Sequence, residues 1–335
     1  MSSGFLVVDK PAGITSHDVV SVLRRVFGIK RIGHTGTLDP FATGVLPMAI
    51  GHATRMIQFL DEGVKVYEAR IQLGVSTDTG DLTGEVTARA AVPVIDAAGI
   101  NRVLGTFLGA QMQTPPAYSA VKVKGRALYS YARAGERVVA AARPIRIDAL
   151  TLVEQGADTL DLHIQCGRGT YVRVLAEEIS EALGTKGHLV ALRRTQSGPF
   201  DVGQSLDFET LSELVSGGSD WRAALRPPRG VERAPWRDRV AFLAEIQSRL
   251  MPPLAVLGHL PMVTLDTGEL RLLQLKGVVA AVPENVSEGG HWCVLDGERL
   301  LGVMKRVGAV GRVARMLPPL DATPRSQVDD APSGR

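Results

Sequence analysis

Cysteine is nearly absent from this chain of 335 residues: there are two, Cys166 and Cys293, far apart and outside any Cys-x-x-Cys pair. Two such thiols argue against a disulfide framework and against a cysteine zinc cluster. Cys166 sits in an apolar, strand-like run and reads as a buried, inert thiol. No apolar run approaches the roughly 18 residues of a membrane span. The opening stretch "MSSGFLVVDKPAG" has neither a basic leader nor a long apolar segment, so it does not read as a signal peptide. The expectation is a cytoplasmic protein without membrane attachment.

Several chemical signatures are missing too. No Lys follows Gly36 or Gly44 at the spacing of a phosphate-binding P-loop. "GRGTYV" places Val172 where a dinucleotide fingerprint needs its third glycine. His17, His34 and His52 lack the spacing and supporting acid of a zinc site. There is no Gly-x-Ser-x-Gly elbow for a serine hydrolase.

What is present is a globular composition, 45% hydrophobic and 22% charged, with a formal charge of only +3. The charge is unevenly spread. Between Ser119 and Leu150, Lys122, Lys124, Arg126, Arg133, Arg137, Arg143 and Arg146 face only Glu136 and Asp148. "GVMKRVGAVGRVARMLPP" carries four basic residues and no acid. Such local excess suits a polyphosphate ligand, while a solvated face balanced elsewhere is the plainer reading.

The apolar pattern predicts a mixture of elements. "GFLVVDK", "VLPMAIG", "VYEARIQLGVS", "RPIRIDALTLVEQG", "TLDLHIQCG" and "HLVALRRTQSGPFDV" read as strands. "TSHDVVSVLRRVFG" predicts a helix with Thr15 or Ser16 as cap, a stripe of Val19, Val20, Leu23 and Phe27, and a stop at Gly28. "TYVRVLAEEISEALG" predicts a second, with Val172, Leu175, Ile179 and Leu183 on one face. "ATRMIQFL" and "INRVLGTFLG" read as shorter helices. Without a regular βαβ rhythm this is an α+β protein with a mixed, largely antiparallel central sheet flanked by helices. Residues 1–215 form the expected main domain. Residues 216–257 read as a linker or insertion holding one helix, "DRVAFLAEIQSRL". Residues 258–320 read as a small β-rich domain, and 321–335 as a disordered tail.

One loop stands out: "GHTGTLDPFATGVL", residues 33–46. An Asp before Pro is ordinarily a turn former or a cap. By residue type alone Tyr67 is a strand aromatic, Arg173 a surface ion pair, His34 a turn residue and Leu192 core. "KPAGITS", "GHTGTLDPFATGVLP", "VYEARIQLGVSTDTGD", "TPPAYSAVKVKGRALY" and "CGRGTYVRVLAEEI", in this order, closely resemble the TruB-type tRNA pseudouridine synthases. The resemblance spans about residues 4–200. It implies the pseudouridine synthase fold and, more diffusely, a PUA-like RNA-binding domain at 258–320.

The resemblance also implies a function: isomerisation of uridine 55 in the T loop of transfer RNA, by base flipping, without cofactor or metal. It implies that Asp39 is the catalytic aspartate, Tyr67 stacks on the uracil and Arg173 pairs with Asp39. Tyr171 and Leu192 would line the pocket, His34 would contact RNA, and Lys10 would support the loop. The partner expected is the T stem-loop of tRNA, with no obligatory protein partner and a monomeric enzyme. A binding protein, either a tRNA-folding chaperone or a scaffold in a guide-RNA particle, is the alternative class.

Overall fold

Lys65–Leu73 buries Tyr67, Ala69, Ile71 and Leu73 and leaves Glu68 and Arg70 in solvent. Its neighbour Thr159–Cys166 buries Leu160, Leu162, Ile164 and Cys166 in the same rhythm. A period of two is the signature of a strand with one face on a core. The computed structural model describes residues 3–61, 63–209, 211, 244 and 246–318. It divides into two units, Met1–Gly51 with Leu60–Met251, and His52–Phe59 with Pro252–Arg335.

The first unit is built on a ten-stranded sheet. Its main path runs Ser205–Asp207, Gly4–Lys10, Thr43–Ile50, Gly187–Ser197, Lys65–Leu73, Thr159–Cys166, Arg143–Gln155, Gly109–Gln113. Ile32–His34 joins Thr43–Ile50, and Phe200–Asp201 joins Gly187–Ser197. Two pairings are parallel, Gly4–Lys10 with Ser205–Asp207 and Thr43–Ile50 with Gly187–Ser197. The others are antiparallel, so the sheet is mixed and largely antiparallel, as the pattern predicted.

The helix Ser16–Phe27 begins where Thr15 and Asp18 form a reciprocal capping box, and it ends at Gly28, whose φ of 68° is left-handed. Val19, Val22, Leu23, Val26 and Phe27 are buried in one cluster with Leu46, Met48 and Ile50 of the sheet. Full burial of such a side chain contributes about 1.5–3 kcal/mol relative to exposure, before its entropy cost. Helices Ala97–Gly105 and Val172–Ala182 add Ile100, Leu104, Leu175 and Ile179 to the same cluster. Cys166 is buried among them, and burial pushes its thiol up to about 11, as expected of an inert cysteine.

The second unit has its own five-stranded sheet, ordered Met262–Thr264, His291–Asp296, Arg299–Val307, Val310–Met316, Val278–Val279. Trp292 fills its core with Val294, Met304 and Leu273. A Cβ on Gly311 would lie 2.4 Å from the Trp292 ring, so only glycine fits there. The helix Thr267–Lys276 was not anticipated. Asp266 caps it and Gly277 ends it, but its leucines do not fall on one clean face. "ATRMIQFL" forms two 3₁₀ turns, Gly51–Arg55 and Ile57–Phe59, rather than an α-helix. Within the span expected to be helical over 238–250, residues 244 and 246–248 are helical. Residues 216–243 of the expected linker and the tail 321–335 lie outside the described residues.

Candidate active site

The turn carrying Asp39 is pinned at nearly every peptide. Asp39 C=O accepts from Ala42 N at 3.1 Å, closing a four-residue turn with Pro40 second, the place where its fixed φ helps most. Arg194, fully buried, donates from Nη2 to Gly36 O (3.2 Å), from Nη1 to Thr37 O (3.3 Å) and from Nε to Val45 O (2.8 Å). Leu38 N donates to Ser16 Oγ at 2.9 Å. Pro40 O accepts from Gly13 N at 2.8 Å and from Lys10 Nζ at 3.2 Å. Beyond the turn, Gly44 lies so close to Arg194 that a Cβ would meet its carbonyl oxygen at 2.2 Å. Its φ of +99° also favours glycine.

Arg173 grips the Asp39 carboxylate. It is the second residue of Val172–Ala182, and its side chain is 5% exposed. Nε donates to Asp39 Oδ2 at 2.9 Å and Nη2 lies 3.4 Å from Oδ1. Nη1 donates to Thr79 O (2.7 Å) and Nη2 to Tyr118 O (2.8 Å). A cation in the first turn of a helix opposes the helix dipole. Two carboxylates offset it: Asp39, and Asp81 with Oδ2 at 3.8 Å. Asp81 is itself held by Thr79 Oγ1, Thr83 N and Thr83 Oγ1. The Asp39 side chain stays 34% exposed, so the carboxylate is aimed by the protein yet open to a ligand.

Sheet register places the next residues. Tyr67 stands directly opposite Arg194, and Ala69 opposite Leu192, across antiparallel strands. Cross-strand partners share a face, so Tyr67, Leu192 and Arg194 lie on the covered side of the sheet. Burial pushes the Tyr67 phenol up, while Arg194 beside it acts the other way, and the hydroxyl stays neutral. His34 ends its short strand opposite Met48. Burial lowers its pKa, and the charges of Arg194 and His17 add to that. His34 Nδ1 and Thr35 Oγ1 are buried without a hydrogen-bond partner. Tyr171 precedes the Arg173 helix, its peptide held on both sides by the Gln113 amide (2.8 and 3.2 Å). Tyr171 lines a cavity of about 340 Å³ with Val121, Arg143, Pro144, Arg168 and Gly169, a lining that includes none of Asp39, Tyr67 or Leu192.

Lys10 is fully buried and donates to Pro11 O and Ile14 O at 2.8 Å as well as to Pro40 O. Burial lowers its pKa from 10.5 to about 8, against a smaller opposing pull from Asp39. The folded state therefore sheds this proton more readily than the unfolded chain. Its cost is fully present below pH 8 and is relieved as pH rises from about 8 towards 10.5. Urea midpoints measured from pH 7 to 10 are expected to shift in favour of the wild type over Lys10→Met as pH rises. A pH-independent difference would refute the titration.

Sequence reasoning therefore anticipated the Asp39–Arg173 pair and the Lys10 support, and the structure brings them together. It missed Arg194, Asp81 and Gln113, all buried polar residues, and named Ser16 only as an alternative helix cap. Among the described residues no group of three or more His, Cys, Asp or Glu side chains is placed to hold a metal ion.

Two family models match the chain in succession. The TruB family pseudouridylate synthase N-terminal domain covers residues 24–172, and the tRNA pseudouridylate synthase B C-terminal domain covers 173–227. A tRNA pseudouridine synthase B of Aromatoleum aromaticum is 41% identical over 280 residues, 84% of this chain and 82% of that protein. The chain belongs to the TruB family of pseudouridylate synthases. A second TruB relative, tRNA pseudouridine synthase B of Geobacter sulfurreducens, is 40% identical over 291 residues, 86% and 95% of the two chains. A chain in the crystal structure of a Cbf5-Nop10-Gar1 complex matches with a TM-score of 0.67 at 24% identity, covering 94% of this chain and 85% of that one. That likeness is one of fold. In TruB terms the ion pair joins the two matched regions, since Asp39 falls in the first and Arg173 opens the second.

Proposed function

We propose that this TruB-family chain isomerises uridine 55 in the T loop of transfer RNA to pseudouridine, with Asp39 as the reacting carboxylate and no cofactor. The observation that carries the proposal is the Asp39 carboxylate, gripped by buried Arg173 yet one third exposed. The names of the relatives, tRNA pseudouridine synthase B, agree with it.

The reaction breaks the bond from ribose C1′ to uracil N1, turns the base, and rebonds it through C5, whose hydrogen is lost as a proton while N1 gains one. Nothing is oxidised and no group leaves, so the chemistry asks for one ionised carboxylate and a site that retains the detached base. The target base must first leave its stack, which costs a few kcal/mol. Stacking on an aromatic ring returns about 1–3 kcal/mol, and Tyr67 is the ring assigned to it. Leu192, on the same sheet face, supplies apolar contact, with Tyr171 completing the wall. His34 contacts the RNA where the nucleotide departs, and Lys10 supports the turn. Lys122, Lys124, Arg126 and Arg133 form an exposed or half-exposed basic stretch suited to RNA phosphates. The β-rich segment 258–320 acts as a PUA-like RNA-binding module. The enzyme works as a monomer in the cytoplasm without a protein partner.

The test is an unmodified tRNA transcript incubated with purified protein and nothing else. Pseudouridine is expected at position 55 alone, and a uridine-to-cytidine change there is expected to abolish product. Binding without product, or product only with added guide RNA, would replace this reading with that of a chaperone or a scaffold.

A further inference from the structure

Ser16 is the first residue of the helix Ser16–Phe27, but it does not cap that helix. Thr15 does, accepting from Asp18 N while the Asp18 carboxylate receives Thr15 N and Thr15 Oγ1. The Ser16 hydroxyl is thereby released for other work. It is 2% exposed and points at a segment 22 residues away in sequence. Its Oγ accepts from Leu38 N at 2.9 Å and donates to Leu38 O at 3.2 Å.

These bonds fall on two different peptide groups. Leu38 N belongs to the peptide before Leu38, and Leu38 O to the one that leads into Asp39. One hydroxyl therefore fixes both planes flanking the Leu38 Cα. The neighbouring carbonyls have other holders: Gly36 and Thr37 use Arg194, Pro40 uses Lys10 and Gly13 N, and Asp39 uses Ala42 N. Between the Arg194 and Lys10 anchors, the peptide that sets the direction of the Asp39 Cα is held by Ser16. Leu38 is buried, so solvent offers its polar groups little replacement.

We propose that Ser16 is a positioning residue for the reaction, setting the reach of the Asp39 carboxylate by clamping the two peptides around Leu38. This rests on the reading of Asp39 as the reacting carboxylate. Arg173 fixes the carboxylate from outside and Ser16 fixes the main chain beneath it. A misplacement of about 1 Å in a reacting group costs on the order of 100-fold in rate. The clamp therefore acts on the chemical step rather than on RNA affinity.

Two variants separate the hydroxyl from the volume it fills. Ser16→Ala removes the hydroxyl, while Ser16→Cys keeps a similar volume but bonds weakly. Both are expected to lower the single-turnover rate on tRNA by about 30- to 100-fold, with RNA affinity unchanged within about threefold. Exchange of the Leu38 amide proton is expected to accelerate about tenfold or more in both. A rate within about threefold of wild type in the folded variants would overturn the proposal. So would a loss confined to affinity, or an unchanged Leu38 exchange rate. Wild type and Asp39→Asn run alongside keep the two readings apart. If wild type makes no pseudouridine, or Asp39→Asn does, the reaction assignment fails, while amide exchange still reports whether the clamp exists.

Discussion

Replacing Asp39 with asparagine is expected to lower pseudouridine formation by roughly 10⁴-fold or more while tRNA binding stays within a few-fold. The substitution is nearly isosteric, so the turn should survive: its holders are Ser16, Lys10, Arg194 and the Asp39 carbonyl, none of which involves the Asp39 side chain. What changes is chemical. A carboxamide can neither act as an anionic nucleophile nor take a proton from the sugar. Its NH₂ group also cannot accept one of the two Arg173 contacts at 2.9 and 3.4 Å. Binding is spared because phosphate contacts and base stacking lie on other residues. Single-turnover kinetics and a filter-binding titration on the same transcript check both halves. Turnover near the wild-type rate would remove Asp39 from the mechanism.

Arg173→Met is expected to do more structural damage. The methionine keeps much of the apolar stem but removes the fork that holds Asp39, Thr79 O and Tyr118 O together. The loop at 79, the loop at 118 and the turn at 39 lose their shared donor at once. Asp81, buried and 3.8 Å from the guanidinium, loses its nearest cation. Removing one partner of a buried pair costs about 3–5 kcal/mol, and the exposure of Asp39 argues for the lower end. Turnover is expected to fall at least about 100-fold, because the carboxylate is no longer aimed. Arg173→Lys keeps the charge but not the fork, since one ammonium cannot reach all three loops in a plane. Urea melts with single-turnover rates decide it. A variant with an unchanged midpoint and rate would show that the pair is incidental.

Local signals in the chain were strong where the physics is local. The helix Ser16–Phe27 was readable because its cap, stripe and glycine stop lie within fourteen residues. The strands Lys65–Leu73 and Thr159–Cys166 were readable because one covered face imposes alternation. The helix Thr267–Lys276 was not, because its apolar residues lack a dominant face and its neighbours are short strands between glycines. Ser16 was ambiguous for a related reason. Thr15 and Ser16 are both good caps, and only the fold shows which hydroxyl takes the helix and which turns to Leu38.

The sequence by itself determined the α+β class, the long strands and the two long amphipathic helices of the first unit, and the family, through five ordered motifs; it missed the short strands Ile32–His34, Gly109–Gln113 and Ser205–Asp207. It also nominated Arg173 as the partner of Asp39. Only the tertiary structure decided how that carboxylate is held. Arg194 reaches back 157 and 158 residues to Thr37 and Gly36, and Arg173 reaches 134 to Asp39 and 94 to Thr79. A buried cation gains its stability from carbonyls and carboxylates that converge on it from separate loops. Composition and periodicity describe what each segment buries, not which distant peptide it will meet. The exposed Asp39 carboxylate on its pinned turn is a product of that convergence.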